Sequence, residues 1–532
     1  MPSPMTFDYI VVGAGTAGCV VAARLIGKGA SVLLLEQGSD GTDANIAGGD
    51  LKSLFGLWDD QNHITNYPMD PRSTSAQRWP ELMRGNTVGG SGAVNAMIHT
   101  RANRRDFDEW VRLGNDQWSF EDVLPFYMTS ESSQNGDPRW RGTRGPIQLR
   151  RPQRTIFSNA LAQAAIELGF SGPDHDFNGE TQEGGAGRYE FAVDHNGMRS
   201  STAAAYLAPC REHQNLTVLS NRTVMRLLLE GTEIGLRATG VVFRNPKSWF
   251  EVSAYARKRV IVCAGALDTP KLLIVSGIGP TEVLEDLKIE RKHELSGVGK
   301  NLQDHVICGV QFESSEPPPR LEFLTEVGLF ANISSSGDAG QFSAEGWPTV
   351  QFFMNAGIEE RRRCWVPENF FGIYPSLARP VTRGSVRPAS QDARRPPVIS
   401  MDYLAEGNDL AIMISAMRMA LRLAATEALE DLNKGTVPVP TPDGGQLLLN
   451  EDTPDAVFAA FLHAAARGLW HPTSTCAMGA QPEDGAVVDQ RLNVHGITGL
   501  SICDASIFPR ITCGNPNATV IAVAERFAEE FA

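Results

Sequence analysis

The first chemistry legible in this chain is the binding of an anion and a ribose close to its start. Residues 10–18 read Ile10-Val11-Val12-Gly13-Ala14-Gly15-Thr16-Ala17-Gly18, and Glu36 ends the next apolar run, Val32-Leu33-Leu34-Leu35. In a Gly-x-Gly-x-x-Gly turn between strand and helix, the first glycine permits the tight turn. The second lets backbone approach a pyrophosphate, and the third lets the helix pack close on the sheet. The pyrophosphate then lies at a helix N-terminus, where free N–H groups and the positive dipole end favour an anion. Glu36 stands about twenty residues past the glycines, where a carboxylate accepts from ribose hydroxyls. An acid there argues against a 2′-phosphate and leaves FAD or NAD. The second candidate is His471, between Gly468-Leu469-Trp470 and Pro472. A histidine flanked by a bulky aromatic and a proline is poorly placed for free solvation. On these residues alone, a packed core histidine and a general base titrating near neutrality both stay open.

The elements that must position these residues alternate strand and helix at the start, which predicts α/β structure on a parallel sheet. A long polar stretch then runs to Pro80 as loop with short elements. Glycines crowd residues 84–95, so backbone there comes very close to something. Residues 156–169 carry a helical pattern, and 216–262 hold several strand-like runs. The last of these enters Ala264-Gly265-Ala266-Leu267-Asp268-Thr269-Pro270, a second strand–glycine–helix turn of nucleotide-facing type. Short strands over 349–354 and 385–387, followed by a helix over 408–425, mark 310–460 as a separate sheet-containing substrate unit. Asp504 follows a strand at 500–503, and a helix from about Val520 closes the chain.

With 532 residues, two to four domains with ample core are expected. A net charge of −14 and a pI near 5.3 repel nucleic acid and anionic membrane surfaces, so neither is an expected partner. No window of about 18 uninterrupted apolar residues exists, so no bilayer-spanning segment is expected. No basic, apolar and small-residue series precedes Phe7, so a cytoplasmic location is expected. The eight cysteines (19, 210, 263, 308, 364, 476, 503 and 513) are scattered singly, which fits reduced thiols and argues against a zinc site or a disulfide framework. The ten histidines show no ligand spacing, and no metal is expected.

Further motifs stand in order from Phe7 to the C-terminus. They are Arg84-Gly85-Asn86-Thr87-Val88-Gly89-Gly90-Ser91-Gly92-Ala93-Val94-Asn95; Gly265 to Leu273 with Ser276-Gly277-Ile278-Gly279-Pro280; Gly297-Val298-Gly299-Lys300-Asn301-Leu302-Gln303-Asp304-His305; His471-Pro472; Asp504-Ala505-Ser506; and Asn515-Pro516-Asn517. Together they resemble the signatures of the glucose–methanol–choline (GMC) oxidoreductase family, most like its bacterial members of the hydroxymethylfurfural, aryl-alcohol and choline oxidase type. The resemblance implies an α/β fold: a Rossmann-like FAD-binding domain over 1–155, 211–309 and 461–532. A second α+β substrate domain, built on an antiparallel sheet, takes 156–210 and 310–460. FAD rather than NAD is implied. Gly13, Gly15, Thr16, Ala17 and Gly18 would meet its pyrophosphate, Glu36 and Gln37 its adenosine ribose, and Val224 its adenine, with Ala264 and Gly265 beside them. Arg84, Val88, Gly89, Gly90, Asn95 and Ala96 would approach the flavin and its ribityl chain. Asp504 and Ala505 would hold the pyrophosphate and ribityl region, and Asn515, Asn517, Ala518 and Thr519 would line the isoalloxazine.

The resemblance also makes His471 the catalytic base and Asn515 its partner. His471 would accept the hydroxyl proton of an alcohol, Asn515 would donate to the substrate oxygen, and the α-carbon hydride would pass to flavin N5. Some members attach FAD through a histidine where this chain has Val94, so non-covalent FAD is expected. Choline oxidases carry a glutamate two residues after the Asp-His pair; here Asp304-His305 is followed by Val306 and Ile307, which counts against choline. A second histidine of the choline pocket aligns with Phe353. Phe353, Trp470 and Ile307, with Phe352, Trp365 and Phe371, predict an apolar, aromatic pocket for a primary alcohol. Arg361-Arg362-Arg363 is a solvated turn or a clamp for an acidic substrate. The expected partners are a small-molecule alcohol and O2 or another electron acceptor, with Ala96 leaving room for oxygen, in a monomer or homodimer. A hydroxynitrile-lyase-type enzyme without net redox is the alternative.

Overall fold

The computed structural model describes residues 5–532 apart from 74, 76–78, 234, 246–249, 318–320, 335–341, 357–368 and 441–444. The strand Met5–Val12 pairs in parallel with Val32–Leu35 on one side and Glu251–Val262 on the other. Parallel neighbours need a crossover, and the helix Thr16–Gly27 supplies the first. Leu216–Leu219 extends the sheet beyond Val32–Leu35, and Leu500–Ile502 joins Glu251–Val262 in parallel. Where they are buried, at 10–12, 32–35 and 260–262, these strands read as unbroken Val/Ile/Leu runs. Ile10, Val11, Leu33, Leu34, Ile261 and Ile502 are fully buried in one apolar cluster with Val20 of the first helix and Val523 of the last. Thr223–Thr232, Gly235–Arg244 and Glu251–Val262 form an antiparallel meander on the same sheet.

The second sheet is antiparallel, as expected for the substrate unit. Val327–Ile333, Val350–Ala356, Phe370–Leu377 and Val310–Ser314 follow one another across it. Phe352 and Met354 point to the face covered by the helices Ile156–Glu167 and Asp409–Ala424, in a cluster with Leu161, Met413 and Met417. Gln351, Phe353 and Asn355 take the opposite face by the two-residue alternation of the pleat.

Several boundaries differ from the sequence reading. The closing helix begins at Pro516 rather than near Val520, with the proline at its first turn, where its missing N–H costs nothing. Val306–Ile307 and Arg467–Gly468, placed by sequence in the FAD unit, belong to the antiparallel sheet: Val306–Ile307 pairs with Phe370–Leu377, and Arg467–Gly468 pairs with Val306–Ile307 at the edge. Tyr206 and Leu207, placed in the substrate unit, are buried against the parallel sheet's cluster. No helix among the described residues is long and apolar enough to cross a membrane.

Candidate active site

A cavity of about 1050 Å³ is bounded by residues of both units. Gly13, Gly15, Thr16 and Ala17 form part of its wall, with Glu36, Gln37, Val224, Ala264 and Gly265 beside them. The glycines of the first turn divide their duties. Gly13 (φ +98°) turns the chain out of the strand, and a Cβ on it would stand 2.5 Å from the Cys263 carbonyl oxygen. A Cβ on Gly18 would overlap the Gly13 carbonyl, so that glycine is required by helix–strand contact. A Cβ on Gly15 would meet nothing nearer than 3.9 Å, leaving free the space before it in the cavity. The helix Thr16–Gly27 starts on Gly15 without a side-chain cap. Thr16 Oγ1 donates to Asn517 Oδ1 at 2.8 Å, which joins its first turn to that of Pro516–Arg526. Two helix starts thus meet at one cavity wall, a donor set suited to an anion.

Glu36 Oε2 accepts from the Ala14 N–H (2.9 Å) and Oε1 from the Gly38 N–H (2.8 Å). Each oxygen keeps a further lone pair for a ribose hydroxyl. Burial pushes this carboxyl up to about 7, against the pull of those two N–H donors. Asp504 lines the cavity, but its carboxylate is engaged within the protein. It accepts from the Gly265 N–H (2.8 Å), Thr269 Oγ1 (2.6 Å) and the Ser506 N–H (2.8 Å), tying the second glycine turn to the last strand. An open glycine face, uncapped helix starts and a buried acid with spare lone pairs fit FAD, whose sugar and pyrophosphate need those groups.

Arg84, Gly90, Asn95, Ala96, Ala505 and Asn517 also lie on the wall. Asn95 is held by Arg199, whose Nη1 donates to its carbonyl (2.7 Å) and its Oδ1 (2.9 Å). Five residues expected at the cofactor do not line the cavity: Gly18, Val88, Gly89, Ala518 and Thr519. Thr519 is fully buried and shares a 2.7 Å hydrogen bond with Tyr127 Oη, so its hydroxyl serves helix packing. Val88 is core, and its N–H donates to Ser39 O; Gly89 (φ +97°) donates its N–H to Ala14 O at 2.7 Å and so braces the first glycine turn from behind. Phe352 and Phe371, expected near substrate, are packed in the antiparallel unit's core, Phe371 stacked on Phe312. Trp365 and Arg361-Arg362-Arg363 lie outside the described residues. Asp43, Asp60 and His63 come within reach of one another, with His63 Nε2 at 3.6 and 4.0 Å from the two carboxylates.

His471 and Asn515 also line the cavity, as do Ile307, Phe353, Leu469 and Trp470. The peptide before His471 is set by three residues far away in sequence. Trp470 adopts φ +59°, a strained backbone for a side-chain-bearing residue. Arg84 Nη1 donates to the Trp470 carbonyl (2.7 Å), and Asp304 Oδ1 accepts the His471 N–H (2.7 Å). Asp304 Oδ2 in turn accepts from Tyr403 Oη at 2.8 Å. Gly468 is needed beneath this, because a Cβ there would overlap Tyr403 Oη and Asp304.

The protonation of the imidazole follows from its neighbours. His305 Nε2 lies 2.9 Å from the Thr512 carbonyl, which only accepts, so that nitrogen bears hydrogen. Burial lowers the His305 pKa to about 4, so its ring is neutral near pH 7 and its Nδ1 is a bare lone pair. His471 Nδ1, 2.9 Å away, must therefore carry hydrogen and donate to it. The lone pair of His471 is then at Nε2, 3.3 Å from Asn515 Nδ2. The Asn515 amide is oriented just as firmly. Its Oδ1 accepts from Thr100 Oγ1 (3.0 Å) and Gln351 Nε2 (3.3 Å), so Nδ2 is the group that meets His471. Burial, with the Arg84 charge adding to it, holds the His471 pKa well below 6.5. The result is a neutral acceptor beside an N–H donor, placed where one hydroxyl can use both. His305, Asp304, Thr100, Gln351 and Tyr403 were not singled out as functional by sequence. Asp304-His305 carried a motif signal, but Thr100 and Gln351 are ordinary polar residues whose role exists only once the sheet brings them to Asn515.

A parallel sheet with a dinucleotide turn, an antiparallel substrate sheet and a His–Asn pair between them define an FAD-dependent oxidoreductase acting on CH–OH donors. The family model described as GMC oxidoreductase matches residues 7–307 and again 380–524, and the chain belongs to that family. It is 34% identical over 544 residues to an oxygen-dependent choline dehydrogenase of Ectopseudomonas mendocina (strain ymp), covering 98% of this chain and 93% of the relative. The same name, identity and 98% share apply to a protein of Xanthomonas euvesicatoria pv. vesicatoria (strain 85-10), of which 95% is covered. Among solved structures, pyridoxine 4-oxidase from Mesorbium loti superposes with a TM-score of 0.86 at 27% identity, covering 98% of this chain and 99% of that one. A fungal aryl-alcohol oxidase, at 22% identity, TM-score 0.80 and 98% of each chain, shares the fold.

Proposed function

We propose that this enzyme oxidises an apolar or aromatic primary alcohol to its aldehyde, with FAD held non-covalently and reoxidised by O2 or another acceptor. The observation that carries the reading is the fixed Nε2 lone pair of His471 opposite the Asn515 amide, within an apolar surround. A carbinol placed between them donates its proton to Nε2 and accepts from Nδ2–H, so negative charge developing on its oxygen meets a ready donor. Asn515 is suited to this because it has no proton to lose. FAD, when bound, supplies the two-electron acceptor for the carbinol C–H. Gly13, Gly15 and the two helix starts would hold its pyrophosphate, Glu36 its ribose, and Asn95, Ala96 and Asn517 its ring. Val94 lines the cavity and has no nucleophile with which to form a bond to the cofactor, which supports non-covalent binding.

The curated relatives are named for choline, but an apolar Ile307 stands on the wall here. Ile307, Phe353, Leu469 and Trp470 offer a quaternary ammonium no carboxylate and suit an aromatic ring better. The likeness to pyridoxine 4-oxidase supports the same class, a primary alcohol on a ring. Oxygen-electrode and dye-reduction assays of the purified protein against aryl, alkyl, sugar and choline-type alcohols test this. Turnover is expected for aryl primary alcohols, and a strict preference for choline overturns the substrate class.

Two further outcomes follow from the wiring of His471. Because its pKa lies well below 6.5, the base stays neutral into acid solution. The rate of alcohol-driven flavin reduction should therefore be flat at neutral pH and fall only on acidification below 6.5; a loss centred above 6.5 contradicts the assignment. His305→Phe removes the acceptor that fixes the tautomer, and should slow flavin reduction by on the order of 10- to 100-fold while flavin content is unchanged. His305→Gln, whose amide oxygen can accept from His471 Nδ1–H, should recover part of the rate in stopped-flow measurements.

A further inference from the structure

The strand Val350–Ala356 turns three polar or aromatic side chains to the site. Gln351 Nε2 donates to Asn515 Oδ1, and Phe353 and Asn355 line the cavity. Residues two apart on a strand are separated by about 6.6 Å. Phe353 therefore covers the middle of this wall, and Asn355 lies roughly 13 Å along the strand from Gln351. Asn355 is 8% exposed. Its Nδ2 donates to the Leu324 carbonyl at 3.1 Å, which fixes the orientation of the amide. Its Oδ1 is buried and accepts no hydrogen bond from the described residues. Buried amide oxygens almost always have a donor, so this one calls for a physical explanation. Its cross-strand neighbour is Gly372, which brings no side chain of its own; the Tyr374 ring leans over that glycine, and Tyr374 Oη accepts from Gln311 Nε2 at 2.9 Å. Leu321 and Leu324 on this part of the lining offer no side-chain donor, and Thr325 beside them donates its Oγ1 to the Met354 carbonyl at 3.0 Å.

We propose that Asn355 determines specificity at the end of the cavity remote from His471, and that its Oδ1 accepts a hydrogen bond from the substrate. Resting on the reading of the His471–Asn515 end as the carbinol site, this narrows the substrate to an aromatic primary alcohol with a hydroxyl or N–H donor across the ring. The ring lies along Phe353, the carbinol meets His471 and Asn515, and the second donor reaches Asn355. A site built around an unpaired acceptor discriminates strongly against an analogue that lacks the donor, because binding that analogue leaves the acceptor unpaired in a dry pocket.

The test compares isosteric pairs on the flavin-loaded protein: 1,4-benzenedimethanol against 4-ethylbenzyl alcohol, and 4-(2-hydroxyethyl)benzyl alcohol against 4-propylbenzyl alcohol. After correction for the two equivalent carbinols of the first compound, the donor-bearing member of at least one pair should show kcat/KM higher by on the order of tenfold or more. Asn355→Leu should bring the ratio close to one, with the flavin content unchanged. Asn355→Asp, which keeps an acceptor, should retain the preference. The dissociation constants of 4-(hydroxymethyl)benzaldehyde and 4-ethylbenzaldehyde, read from the visible spectrum of the oxidised holoprotein, provide a measure independent of turnover. If no alcohol reduces the flavin, the oxidation reading fails, and the aldehyde pair still decides on Asn355. Ratios near one in the unmodified protein, or ratios untouched by Asn355→Leu, overturn the proposal.

Discussion

His471→Ala should yield a protein that is still yellow when purified, but whose flavin is reduced by alcohol more slowly by a factor on the order of 10² or more. The direction follows from the hydrogen-bond chain Thr512 O, His305, His471. That chain leaves one unprotonated nitrogen at the cavity, and no other neutral base stands within reach of Asn515 Nδ2 among the described contacts. Without the imidazole the alcohol must lose its proton to water, in a wall built of Ile307, Phe353 and Trp470. The cofactor should stay, because the groups assigned to its pyrophosphate and ribose lie at Gly13, Gly15 and Glu36, on the parallel-sheet unit. Stopped-flow absorbance under nitrogen measures the reduction, and a variant reduced at the unmodified rate refutes the role of His471.

Gly15→Val should give folded, colourless protein. The expectation separates two glycines of one motif. At Gly18 a side chain overlaps the Gly13 carbonyl, so substitution there damages the helix–strand contact and the fold with it. At Gly15 the nearest protein atoms to an added Cβ are 3.9 Å away, so the chain tolerates the valine and only the space before the helix start is lost. Flavin content by absorbance and thermal unfolding of the apoprotein distinguish the outcomes. Gly15→Val should lose the cofactor and keep a cooperative transition, whereas Gly18→Val should lose both. Normal flavin content in Gly15→Val contradicts the placement of the pyrophosphate.

The contrast between Gly15 and Gly18 also shows what the sequence carries. Both were legible as a motif because the turn is local: strand, glycines, helix and acid lie within residues 5–36. The architecture was legible for a related reason. Strands covered on both faces must be continuously apolar, while those of the second sheet cover one cluster with Phe352 and Met354 and present Gln351, Phe353 and Asn355 to the other side. What failed was orientation and reach. Thr519 sits two residues past Asn517 on one helix, yet its hydroxyl turns to Tyr127. Phe371 is aromatic and near the right strands but stacks on Phe312. The residues that orient His471 and Asn515 come from positions 100, 304, 305, 351 and 512. Such distant pairings have no periodicity, and a polar residue carries no sign of which neighbour it will meet. The sheet that Arg467–Gly468 joins was illegible for a similar reason, because that segment is a two-residue strand whose partner, Val306–Ile307, is fixed only by the folded sheet.

The central claim is that His471 Nε2 takes the proton of a carbinol as two electrons leave its C–H for the bound flavin. Anaerobic titration of the purified holoprotein with an accepted aryl primary alcohol, following flavin absorbance and product together, tests it most directly. The account predicts loss of the visible flavin band with one aldehyde formed per flavin reduced. Substrate conversion with an unchanged flavin spectrum, as in a lyase, contradicts it.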